Sequence, residues 1–207
     1  MVHRQKMIPR AIRSGHKPVS GRSALSLSSL FLLSALILFA HPQALEAAES
    51  RPWYAPRLEA LGFYVFDKPF SQPNFAVTSL TGSLVPRTST KGNITLLNFW
   101  ATWCPPCKRE IPTIQKLHET MKGDKFQIMA ISLGEPLSTV KPFVEQNKIS
   151  FPVYLDPKNQ LSATYASRGI PTTYILDKNG DFIAGIIGAF EYDNPEFVKI
   201  MKELAQK

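Results

Sequence analysis

The stretch "NFWATWCPPCKRE", residues 98 to 110, contains both cysteines of this 207-residue chain, Cys104 and Cys107. Just before them, "ITLLNFW" (94–100) is an apolar run typical of a strand buried on both faces. After them, apolar residues recur at helical spacing: Ile111, Ile114, Leu117 and Met121. With a strand that ends near Trp103, this order of strand, tight turn and helix predicts that Cys104 begins a helix and that Cys107 lies one turn further on.

Further elements are predicted on both sides of this unit. "FQIMAISL" (126–133) predicts a second buried strand, "FPVYLD" (151–156) a short one, and "TTYILDKNGDFIAGII" (172–187) two strands joined at Asn179-Gly180. Apolar spacing predicts a helix capped by Ser138, a small helix near 161–166, and a last helix with Asn194 as its cap. "FAVTSLTGSLVP" (75–86) predicts a hairpin. The fold class is therefore α/β, with a mixed sheet flanked by helices and an N-terminal hairpin.

The N-terminal part of the chain has a different composition. Residues 1–23 hold six Lys or Arg and no acid, and 24–40 form an uncharged apolar run, which predicts an export signal or a membrane anchor over 1–41. Residues 42–72 form a Pro-rich linker or arm, and 73–207 the folded domain. Because six basic residues of the +8 chain belong to the targeting segment, the charge does not indicate a nucleic-acid partner.

Three roles are conceivable for two cysteines. Zinc needs about four ligands, and the four histidines are His3, His16 and His41 in the tail or linker and His118 alone on a helix. A structural disulfide between residues three apart closes a tiny loop and stabilises little. Redox chemistry is the remaining role.

In a redox site, Cys104 at the helix start is predicted to attack and Cys107 to resolve. Pro105 and Pro106 suit the first helical turn, but each removes an N–H that could stabilise the Cys104 thiolate. We therefore expect a Cys104 pKa nearer about 7 than the about 3.5 of a strong thiol oxidase. That expectation favours a reductant.

"NFWATWCPPC", Pro112, "GEP" (134–136), "FPVYLD" and "GIPTTYILDKNG" (169–180) together resemble the thioredoxin superfamily, and most closely its TlpA/ResA/CcmG group of exported thiol-disulfide oxidoreductases. The resemblance covers about residues 73–204 and implies a thioredoxin-like fold. It implies that Pro171 is the cis-proline beside the cysteines, with Ile170 offering its backbone to an extended substrate.

The same resemblance implies that Glu110, one helical turn after Cys107, relays a proton to and from that cysteine. Thioredoxins proper carry an aspartate where this chain has Asn98, which cannot titrate, so the proton task shifts to Glu110, with Glu135 as a helper. Trp103 is expected to frame the site and to contact substrate. Lys108 and Arg109, like His118, are expected on exposed helix surface.

The predicted function is a periplasmic dithiol reductase, free or tethered to the membrane, that needs no bound cofactor and no metal. The resemblance implies protein substrates with disulfides, apocytochrome c among them, and a membrane electron donor of the CcdA or DsbD kind. Three alternatives stay open at this point: a DsbA-like oxidase, a peroxidase of related fold, and a tethered carrier of a soft metal such as Cu(I).

Overall fold

The computed structural model describes residues 51–207. The predicted signal or anchor segment and the first part of the linker lie outside this range. The helices are α1 (Ala55–Ala60), α2 (Pro105–Thr120), α3 (Leu137–Gln146), α4 (Ser162–Tyr165) and α5 (Pro195–Gln206). The strands are β1 (Tyr64–Phe70), β2 (Ala76–Ser79), β3 (Leu84–Pro86), β4 (Ile94–Trp100), β5 (Phe126–Leu133), β6 (Val153–Asp156), β7 (Thr172–Leu176) and β8 (Phe182–Ile187).

The eight strands form one mixed sheet in the order β1-β8-β7-β4-β5-β6-β2-β3. Strands β4, β5 and β6 are parallel, because helices α2 and α3 carry the chain back between them. Strands β7 and β8 form the predicted hairpin, and β2 and β3 form the N-terminal one. The predicted α/β class with a mixed central sheet is confirmed.

Strand β4 lies in the middle of the sheet, and every one of its residues is buried. Its side chains alternate between two core clusters: Leu96 and Trp100 join the larger cluster with α1, α2, α3 and α5, and Leu97 and Phe99 join the smaller one on the other face. The continuous apolar run is explained by this burial on both faces. The loop that carries the cysteines follows directly from the most protected strand.

Residues 51–72, assigned from the sequence to a linker or arm, contribute α1 and β1 to this architecture. Strand β1 pairs antiparallel with β8 at the edge of the sheet. Pro69 is compatible with a strand here because an edge strand has one side without ladder hydrogen bonds. The proline content of the segment concealed this strand in the sequence.

Two local expectations were wrong. Strand β4 ends at Trp100 rather than near Trp103, and three loop residues precede Cys104. Helix α3 begins at Leu137 with Pro136 at its cap position and no capping side chain, so Ser138 lies inside the first turn. The predicted cap of the last helix is confirmed, since the Asn194 side chain accepts hydrogen bonds from the backbone N–H groups of Glu196 and Phe197.

Among residues 51–207, no helix is both long and apolar enough to cross a lipid bilayer.

Candidate functional site

Cys104 and Cys107 form a disulfide at the N-terminus of α2. Cys104 is the N-cap residue, and the backbone N–H of Cys107 points at its sulfur, with 3.3 Å between nitrogen and Sγ. Pro105 and Pro106 occupy the two positions between them and have no N–H to offer. The helix start therefore directs one backbone donor, rather than several, at the Cys104 sulfur.

Both cysteines are almost fully buried: Cys107 completely, and Cys104 with 2% of its surface exposed. The preceding residue Trp103 is 66% exposed and presents an aromatic surface to solvent, whereas Trp100 is buried and packs against Phe143.

The loop before β7 contacts Cys104. The Ile170–Pro171 peptide bond is cis, and the Ile170 carbonyl oxygen lies 3.8 Å from Cys104 Sγ. Pro171 is buried and Ile170 is partly exposed. The structure thus brings Cys104, Cys107, Ile170 and Pro171 together, although more than sixty residues separate the two motifs in the chain.

Glu110 lies one helical turn after Cys107 and is only 2% exposed. Asn98 Nδ2 donates to its Oε1 at 2.9 Å, and the Phe190 backbone N–H donates to its Oε2 at 3.3 Å. Burial raises the pKa of Glu110 to about 8, even though both hydrogen bonds act to lower it. Glu110 is therefore a carboxyl group that holds its proton near neutral pH.

Asn98 belongs to a chain of hydrogen bonds with Thr173 and Tyr192, two residues that the sequence analysis did not identify. Its Nδ2 also donates to Thr173 Oγ1 at 2.9 Å, and the Tyr192 hydroxyl donates to the same oxygen at 2.6 Å. All of these side chains are buried. Thr173 follows the cis-proline in the recognisable "GIPTT" motif, but Tyr192 belongs to no pattern that could have marked it.

A cleft of about 350 Å³ opens beside Glu110. Its lining residues are Arg109, Glu110, Thr113, Ala189, Phe190 and Glu191. Arg109 and Glu191 are exposed, so the cleft connects the buried carboxyl group with solvent.

Glu135, the expected helper, is buried and hydrogen-bonded. Its buried carboxylate accepts hydrogen bonds from the Thr102 backbone N–H at 2.8 Å, from the Thr102 hydroxyl, and from the Ser132 hydroxyl at 2.6 Å. These bonds tie the end of β5 to the loop that leads into Cys104.

The charged residues near the helix surface are placed mostly as expected. Lys108 and Arg109 are exposed. His118 is half-buried rather than exposed, and burial lowers the pKa of its imidazole, with Lys122 adding to the effect. It does not belong to the site.

Comparison with known proteins gives consistent matches. Residues 71–184 match the model of the AhpC/TSA family. The chain is 38% identical over 116 residues to the thiol-disulfide oxidoreductase ResA of Bacillus cereus, covering 56% of this chain and 67% of that protein. It is 32% identical over 149 residues to ResA of Geobacillus kaustophilus, covering 67% and 86%.

Solved structures agree with these matches. A thiol:disulfide interchange protein of the thioredoxin family from Chlorobium tepidum superposes with a TM-score of 0.57 at 29% identity, covering 67% of this chain and 97% of that one. StoA from Bacillus subtilis superposes with a TM-score of 0.54 at 28% identity, covering 63% and 99%.

Proposed function

The chain belongs to the AhpC/TSA family and is a thiol-disulfide oxidoreductase with a thioredoxin-like fold, and from this premise we propose that it works as a dithiol reductase of protein disulfides. Its substrates are proteins that carry disulfides.

The start of helix α2 indicates in which direction electrons flow between this protein and its substrates. In the first turn of α2 only the Cys107 N–H points at Cys104 Sγ, because Pro105 and Pro106 have none. A thiolate with few donors is weakly stabilised, so the dithiol form is not strongly favoured over the disulfide. A protein of this kind gives its electrons away readily and acts as a reductant.

The proposed reaction consists of two thiol–disulfide exchange steps. The Cys104 thiolate attacks one sulfur of the substrate disulfide, and the other substrate sulfur leaves as a thiolate and takes up a proton. Cys107 then loses its proton and attacks Cys104 Sγ, which releases the second substrate sulfur as a thiolate that takes up a proton. Two electrons pass to the substrate, and the protein keeps the disulfide between Cys104 and Cys107.

Glu110 is proposed to exchange a proton with Cys107: its ionised form, the minor form near neutral pH, takes the proton that Cys107 loses, and its protonated form returns one when the disulfide is reduced. Its pKa of about 8 leaves both the protonated and the ionised form accessible near neutral pH, as a group that both takes and gives a proton requires. The cleft beside Glu110 then lets the proton reach solvent. Ile170 and Pro171 are proposed to pair with the substrate backbone, and Trp103 to pack on its side chains.

We place the domain on the outer side of the bacterial inner membrane, exported or tethered by its N-terminal segment, since a basic flank precedes the apolar run at 24–40. An integral membrane thiol carrier of the CcdA or DsbD kind would re-reduce it. Disulfides of apocytochrome c, whose cysteines must be reduced for haem attachment, are one proposed substrate.

The reduction potential tests the direction. We expect a value near −270 mV, as in thioredoxin, from equilibration of the protein with dithiol buffers. A value near about −120 mV would mark a strong oxidant and overturn the proposal.

A trapping variant tests the mechanism. Cys107→Ala leaves the mixed disulfide on Cys104 without a resolving thiol, so substrates should accumulate as covalent adducts that reductant releases. The matched variant Cys104→Ala should trap nothing, because Cys107 is completely buried. Adducts on the second variant, or none on the first, would contradict the assigned roles.

A further inference from the structure

A second cleft, of about 260 Å³, lies at the same end of the sheet as the cysteines. Its lining residues are Tyr64, Tyr165, Ala166, Ser167, Arg168, Thr172, Tyr174 and Ile187. In the sheet register Thr172 lies between Phe99 and Ile187, and Phe99 is the penultimate residue of β4. Tyr165 and Tyr174 belong to the smaller core cluster, so the cleft is on the face opposite to helix α2.

The cleft adjoins the loop that contacts the nucleophile. Arg168 comes three residues before Pro171 in the chain, and Thr172 comes directly after it. Between them, the Ile170 carbonyl oxygen is 3.8 Å from Cys104 Sγ. A substrate segment that runs along this loop with its cysteine at Cys104 therefore passes the mouth of the cleft.

The lining has a cation and no carboxylate. Arg168 is exposed, and none of the ion pairs within residues 51–207 includes it. Burial raises the pKa of Tyr64, the charge of Tyr174 and a hydrogen bond with it add to the rise, and the nearby Arg168 acts against it, so the Tyr64 hydroxyl keeps its proton at physiological pH. The Tyr174 hydroxyl already donates to the Tyr165 carbonyl oxygen at 2.8 Å.

Gly185 accounts for the position of Tyr64. The two residues are partners in the β1–β8 register, and a Cβ added at Gly185 would overlap the Tyr64 hydroxyl. Because Gly185 has no side chain, the Tyr64 side chain can lie across the sheet and reach the cleft. Ile187, 36% exposed, supplies an apolar wall.

We propose that this cleft is a subsite for a carboxylate of the substrate protein, an Asp or Glu side chain close in sequence to the cysteine that Cys104 attacks. Arg168 would pair with the carboxylate, and the Tyr64 hydroxyl would donate a hydrogen bond to it. The inference rests on the proposed reductase function and adds a preference for acidic sequences around the substrate disulfide.

The test uses synthetic disulfide-bridged peptides that are identical except for Glu or Gln at one position on either side of the attacked cysteine. For at least one position, we expect the reduced full-length protein to reduce the Glu peptide about tenfold faster than the Gln peptide, in second-order rate constant. A factor of ten corresponds to about 1.4 kcal/mol, within the range of a charge-assisted hydrogen bond.

Arg168→Gln should remove this advantage, and Tyr64→Phe should reduce it. Lys199→Gln is the matched control, because Lys199 is exposed on α5 and its loss changes the net charge equally. It should retain the advantage if a local pairing, rather than long-range attraction, is the cause.

Equal rates for all Glu and Gln pairs, or an advantage that survives Arg168→Gln, would overturn the subsite and leave the reductase proposal intact. An advantage lost equally in Lys199→Gln would also overturn it. Failure of the wild-type protein to reduce any of the peptides would overturn the proposed function and the subsite with it.

Discussion

Replacing Glu110 by Gln should stabilise the oxidised protein by an amount that grows with pH. Burial raises the pKa of Glu110 to about 8 from its ordinary 4.5. The folded state therefore binds this proton more tightly than the unfolded state. The stability that Glu110 contributes is complete below about pH 4.5 and is lost as the pH rises toward 8.

The size of the effect follows from that difference. At about 1.4 kcal/mol per pH unit, the folded protein loses about 3 kcal/mol by pH 7 and about 5 kcal/mol above pH 8. Gln does not titrate, so the difference in unfolding free energy between Glu110→Gln and wild type should increase with this slope between pH 4.5 and 8 and then level off.

The assay is urea-induced unfolding of the oxidised protein at pH values from 5 to 9. Keeping the disulfide closed removes the titration of Cys104 and Cys107 from the comparison. Glu119→Gln is the control, because it makes the same substitution at an exposed position of the same helix. A constant difference for Glu110→Gln, within about 0.5 kcal/mol across the range, would refute the reasoning.

Three other substitutions have defined outcomes. Arg87→Met should destabilise the protein by about 2–4 kcal/mol in urea unfolding. The buried guanidinium donates to the Gly180 and Gln72 carbonyl oxygens at 2.6 and 2.8 Å, and the substitution leaves those acceptors without partners. A loss of less than about 1 kcal/mol would contradict this. Asn98→Leu removes an N–H donor that lowers the pKa of Glu110. The unfolding free energy should therefore stop falling at a pH above 8. If that pH is unchanged or lower, the hydrogen bond from Asn98 does not stabilise the Glu110 carboxylate. Trp103→Ala should change the unfolding free energy by less than about 0.5 kcal/mol, because the side chain is 66% exposed. The same substitution should slow the reduction of protein disulfides about tenfold. An unchanged rate would remove Trp103 from the proposed substrate surface.

Patterns that depend on neighbours in the chain were readable from the sequence. The buried run of β4, the helical spacing after Cys107, the Asn179-Gly180 turn and the Asn194 cap each reflect burial or hydrogen bonding within a few residues, and the structure has all four. The position of the cysteines at a helix start follows from the same local signals. These features were enough to predict the fold class and to single out the redox pair.

Contacts between distant segments were decided only in the tertiary structure. Strand β1 exists because the edge of β8 offers hydrogen bonds to a segment whose prolines alone suggested a linker. The pKa of Glu110 depends on burial and on hydrogen bonds from residues 98 and 190, the second of which lies 80 positions away, and no spacing rule connects them. Local preferences act over a turn or a strand, whereas desolvation depends on everything that packs around a group, and that is known only once the chain has folded.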